Sequence, residues 1–129
     1  MSDIFQLSTR KGEITMNRSE MLELLMDSLK HHFIFVDTEH VIQYMNKAAV
    51  EWSKGKTAKV GMSIFACHKE ESKQIILDVV EAFKRGEDEK MILNSKQRRT
   101  FMRAVRDKDG NFIGYYERFE PPDGYSVSG

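Results

Sequence analysis

The chain carries a single cysteine, Cys67. That excludes an internal disulfide framework and a multi-cysteine zinc site, and it fits a reducing compartment. Net charge is missing too, because 20 Lys and Arg offset 20 Asp and Glu. No global field therefore favours nucleic acid or an anionic membrane. The one basic run, Lys96-Gln97-Arg98-Arg99, reads as a solvated turn between strands. No apolar run approaches the roughly 20 residues that span a bilayer. The N-terminus lacks the basic stretch and apolar run of a secretory signal. The expectation is a cytoplasmic protein with neither nucleic acid nor a membrane as partner. A Gly-rich phosphate loop, an HExxH pair and paired catalytic carboxylates are also missing, so no enzyme activity is expected.

What is present has clear periods. Ile75, Ile76, Val79, Val80 and Phe83 recur at the spacing of one helix face. Glu70 and Glu71 suit the positive end of that helix, Lys84 and Arg85 its negative end, and Gly86 stops it. Asn17 with Glu20 reads as a capping box opening an earlier helix that runs to about Lys30. Its Met21, Leu22, Leu25 and Leu29 share one side, while Leu24 and Met26 widen the apolar surface. A helix apolar on more than one side needs two things to pack on, here its own domain and a second copy of the chain. His31 and His32 follow it, where a positive charge is favourable.

Between and beyond the helices the period falls to two. Phe33–Val36 and Val41–Met45 form a hairpin around Asp37-Thr38-Glu39-His40. Asn46 caps a short helix bearing Ala48, Ala49 and Trp52, which Lys54-Gly55-Lys56 ends, and residues 57–65 add one or two helical turns. Three more strands follow, at Glu89–Asn94, Thr100–Arg106 and Phe112–Phe119. Asp-Gly turns the last pair, and Pro121-Pro122 ends it. Five strands in one antiparallel sheet, with the intervening helices on one face, make an α+β layer architecture. The expected organisation is an N-terminal arm over residues 1–16, one domain over 17–120 and a flexible tail over 121–129.

Cys67 and His68 stand side by side ahead of the long helix. As a thiol and its base they are poorly placed, since neighbouring residues on a helix or turn point about 100° apart, and no Asn or Asp orients them.

The order of elements resembles a PAS domain over roughly residues 20 to 120. The resemblance is carried by Phe33-Ile34-Phe35-Val36-Asp37, Val41 to Ala49, Gly61-Met62-Ser63-Ile64-Phe65 and the hairpin Arg106 to Gly114. It implies a PAS-like five-stranded antiparallel sheet, covered on one face by helices that enclose a cavity, with an N-terminal helix. It also implies a role in sensing or signalling. Phe65 to Lys73 is similar to the His-Pro-Glu-Lys-Ser stretch of haem-binding PAS domains in carbon-monoxide-responsive regulators, with Lys69 where those have proline. That likeness implies a b-type haem with His68 as one axial ligand and Met91 as the other, sensing a diatomic gas or redox state; Met102 and Cys67 are alternative ligands. Two other PAS chemistries lack their residues. Photoactive yellow protein needs a tyrosine and a glutamate where this chain has Met45 and Ala49, and flavin photosensors surround their cysteine with Asn, Arg and Gln. The alternative to haem is a cofactor-free PAS module that binds a small apolar ligand or another protein. Either module is expected to dimerise through the N-terminal helix and to pass its output to a separate signalling protein.

Overall fold

The computed structural model describes residues 3–54 and 58–122, the side chain of Cys67 excepted. The expected helix stop at Gly55 and Lys56 and the expected tail from Asp123 onward lie outside the described residues.

The N-terminal residues form a hairpin, β1 (Ile4–Thr9) and β2 (Gly12–Asn17), that stands as its own two-stranded sheet. Gly12 takes a φ of 118°, which a side chain would resist, and so permits the tight turn. β2 runs straight into α1 (Arg18–Asp27), where the Asn17 side chain accepts from the Glu20 amide at 2.8 Å. Helix α1 buries none of its residues.

The main sheet uses β3 (Phe33–Asp37), β4 (Ile42–Met45), β5 (Glu89–Asn94), β6 (Arg99–Arg106) and β7 (Phe112–Glu120) in the order β4-β3-β7-β6-β5, antiparallel throughout. The last strand in sequence is therefore the central one in space. Helices α2 (Lys47–Trp52) and α3 (Glu70–Lys84), with a 3₁₀ turn at Ile64–Cys67, cover one face. α3 buries Ile76, Val79, Val80, Ala82 and Phe83. It closes in a Schellman motif: the Glu87 amide donates to the Ala82 carbonyl at 3.1 Å and the Gly86 amide to Phe83 at 3.0 Å, with Gly86 at a φ of 107°. The strong period of α3 and its ordered stop are what let it serve as a rigid wall.

Register assigns the faces. Ile34 lies opposite Glu117, Val36 opposite Tyr115, and across β7 Met102 faces Glu117 and Thr100 faces Phe119. Ile34, Val36, Met102 and Tyr115 are core residues, so this set points at the helices. On the other face Phe33 stacks on Tyr116 at 4.5 Å between ring centres. Beside them Arg118, Glu89 and Glu120 form an ion-pair ladder at 2.7 Å contacts.

Asn46 joins these layers. Its side chain is fully buried and uses all of its hydrogen-bonding capacity. Oδ1 accepts from the Ala49 amide (2.9 Å) and the Phe33 amide (3.1 Å), and Nδ2 donates to the carbonyls of Met26 (3.1 Å) and His31 (3.0 Å). Asn46→Asp would turn an oxygen toward those two carbonyls and bury a charge, and is expected to cost about 3 kcal/mol or more. The urea midpoint would show it; an unchanged midpoint would mean that the junction is not structural.

Candidate functional site

A cavity of about 360 Å³ lies between the inner face of the sheet and the helices. Its body is apolar, with Ile34 and Ile92 from the sheet and Ile64 and Ile76 from the cover. Ile75 on α3 and Leu93 on β5 line it while remaining part exposed, so its mouth opens between those two elements. That volume and lining suit a small organic molecule.

One end is polar. Glu117 sits at the middle of the central strand, between Ile34 and Met102, and is 6% exposed. Burial pushes its carboxyl above the ordinary carboxylate range, and the nearby His68 and Arg98 oppose that shift. Its carboxyl has no hydrogen-bond partner among the described residues. Thr100 from β6 and Arg98 from the β5–β6 turn line the same cavity. The Thr100 hydroxyl and the Arg98 Nε are buried with no hydrogen-bond partner. The Arg98 guanidinium lies 4.3 Å from the centre of the Phe119 ring and 5.8 Å from that of Trp52.

His32 completes this end. It stacks on Phe119 at 3.9 Å and meets Trp52 edge-on at 5.0 Å. The sequence expectation placed His31 and His32 as cations at a helix end. The structure ends α1 at Asp27 and carries His32 into the interior, because its carbonyl pairs with the Phe119 amide at 3.1 Å as β3 enters the sheet. Burial, aided by Arg98, lowers the pKa of His32 to about 4, so the ring is neutral near pH 7.

His68 lines the cavity as the sequence expectation required. Its Nδ1 lies 2.6 Å from the Ile64 carbonyl oxygen, which only accepts, so Nδ1 carries the proton. Met91 stands elsewhere. A bulge between Met91 and Leu93 leaves Met91 opposite Phe101 on the outer face, 48% exposed, while Leu93 and Ile92 line the cavity. Met102 is fully buried in the core beside Glu117 but does not line the cavity. The structure thus brings His68 to the cavity and does not bring Met91 to His68. The side chain of Cys67 lies outside the described residues.

Sequence reasoning missed Glu117, Arg98, His32 and Thr100. A signal existed for Glu117: on a strand reading Tyr115-Tyr116-Glu117-Arg118-Phe119, it shares a face with two aromatic residues. Arg98 had none, lying in a run of basic turn residues.

A five-stranded antiparallel sheet, a layer of helices on one face and an open-mouthed cavity between them define a small α+β domain built around an internal site. The chain belongs to the PAS domain family, whose model matches residues 22–120. PAS domains are sensory modules. Among solved structures, the C-terminal domain of a protein from Streptococcus mutans is similar at 21% identity and a TM-score of 0.69, covering 92% of this chain and 93% of that one. The PAS domain of a protein from Colwellia psychrerythraea matches at 10% identity and a TM-score of 0.61, covering 80% and 95%. A sensory box sensor histidine kinase from Vibrio cholerae matches at 15% identity and a TM-score of 0.53, covering 79% and 87%. No curated protein matches. Among the described residues no helix is long and apolar enough to cross a membrane.

The buried histidine makes stability depend on pH. The unfolded chain binds a proton on His32 near pH 6.5, whereas the folded chain does so only near 4. Its contribution is fully present above pH 6.5 and is lost as pH falls toward 4, a loss of about 3 kcal/mol. His32→Phe is expected to flatten that limb in urea melts taken between pH 7 and 4; a limb of unchanged slope would place the titration elsewhere.

Proposed function

We propose that this PAS domain is a cytoplasmic, non-enzymatic sensor whose signal is a small molecule held in the cavity between sheet and helices. The observation that carries this reading is the cavity itself, about 360 Å³ with an apolar body, a polar end and a mouth between α3 and β5. Its walls include β6 and the central strand β7. Occupancy therefore bears on the strands that tie the whole sheet together. Output passes to a separate signalling protein.

Haem is the second reading, favoured by one contact. Metal-binding histidines commonly donate their other ring nitrogen to a backbone carbonyl, as Nδ1 of His68 does to Ile64. His68 would hold the group through Nε2. Met91 lies on the outer face and Met102 in the core, so neither is placed to share it. When bound, haem would supply an iron that takes a diatomic ligand.

Two titrations of the purified chain separate these readings. The neutral fluorophore N-phenyl-1-naphthylamine should brighten with the wild-type chain and not with Ile92→Trp, which fills the cavity. Absence of brightening in the wild type would refute the cavity reading. Hemin should give a Soret band that His68→Ala abolishes if the second reading holds, and a colourless chain would end it.

Dimerisation through α1 is part of the proposal. Leu22, Leu24, Leu25 and Leu29 are 44–56% exposed, an apolar surface that water disfavours. Sedimentation should show a dimer that Leu22→Glu with Leu25→Glu splits into monomers. A wild-type monomer at high concentration would remove this interface.

A further inference from the structure

Resting on the cavity reading, we propose that the ligand is a small apolar carboxylic acid, its carboxylate paired with Arg98 and hydrogen-bonded by Glu117, its hydrocarbon body among the cavity isoleucines.

Arg98 is the first observation. Its guanidinium has no ion pair or hydrogen bond among the described residues, although it lines an interior cavity. Arg99, Arg103, Arg106 and Arg118 each have an acidic partner within 4 Å. Guanidinium keeps its charge at any relevant pH, and its planar fork matches a carboxylate. Its charge lies 4.3 Å from the centre of the Phe119 ring, a cation–π contact that helps hold it at the cavity.

Glu117 is the second, and it is independent of the first. A carboxyl that is only 6% exposed, aimed into a cavity and without a hydrogen-bond partner is costly unless it serves a ligand. The groups acting on it electrostatically are His68, beside the 3₁₀ turn, and Arg98, in the β5–β6 turn. Both favour negative charge, so the site attracts an anion and repels an ammonium group. Two carboxyl groups in one buried site cannot both ionise. Glu117 therefore keeps its proton and donates it in a hydrogen bond to the ligand carboxylate, with no net proton transfer. The Thr100 hydroxyl lines the same end and adds a second donor once it rotates. The neutral His32 ring closes the end without adding charge.

The test is calorimetry on the full 129-residue chain with three probes of one shape: 4-phenylbutyrate, 4-phenylbutyramide and 4-phenylbutylamine. The acid should bind at least tenfold more tightly than the amide, and the amine not at all. Arg98→Met should weaken the acid tenfold or more and leave the amide unchanged. Affinity for the acid should fall as pH rises through the Glu117 titration. Glu117→Gln, which still donates a hydrogen bond, should bind within about threefold of wild type and lose that part of the pH dependence. An amine that binds better than the acid, an amide that equals it, or an Arg98→Met variant that holds the acid as well as wild type would overturn the proposal and leave the cavity reading standing. If none of the three binds, the proposal falls, and the fluorophore titration alone decides the cavity reading. The wild-type acid-to-amide ratio decides the matter even if a variant fails to fold.

Discussion

Four hydrogen bonds at Asn46 decide where three elements meet. The side chain receives the first amide of β3, caps α2, and takes up carbonyls from the end of α1 and from His31. An asparagine can do this because it offers two donors and two acceptors in one plane. The junction reinforces the pairing of β3, which begins at Phe33, with β4 and β7. With it, Ile34 falls opposite Glu117, and His32 is delivered against Phe119 and Trp52.

The polar end itself runs the other way. Asn46 is buried and fully paired, whereas the Thr100 hydroxyl, the Arg98 Nε and both ring nitrogens of His32 are buried without hydrogen-bond partners among the described residues. Each such group costs about 1–3 kcal/mol relative to a paired one. An apolar substitution would relieve most of that cost, so a stability-driven sequence would not keep four polar groups around one cavity. Unsatisfied polar groups gathered at a concave site are where local rules give way to function. α3 and its Schellman stop supply the rigidity that tolerates them.

The elements were legible because each is written in its own period. The face of α3, the capping box before α1 and the five strands needed only local spacing and turn chemistry. His68 was legible through its place between a conspicuous turn and a conspicuous helix. Glu117 was overlooked because a charged residue on a strand reads as outward, although its alternation with Tyr115 and Phe119 put it on an aromatic face. Arg98 was hidden in a basic turn, and Met91 was misleading because a one-residue bulge reverses which face it takes.

The sequence by itself determined the α+β class, the order of the five main strands and of the helices between them, the zero net charge and the exclusion of an internal disulfide or a multi-cysteine zinc site, whereas residues 1–16 read only as an arm, where β1 and β2 form a hairpin instead. These follow from interactions between residues close along the chain and from composition. Tertiary structure alone decided that the last strand is central, that Glu117 and Arg98 turn inward, and that His32 is neutral and buried. The reason is physical. Register and burial depend on pairings between residues far apart in sequence, and moving a strand by one residue exchanges its inner and outer faces.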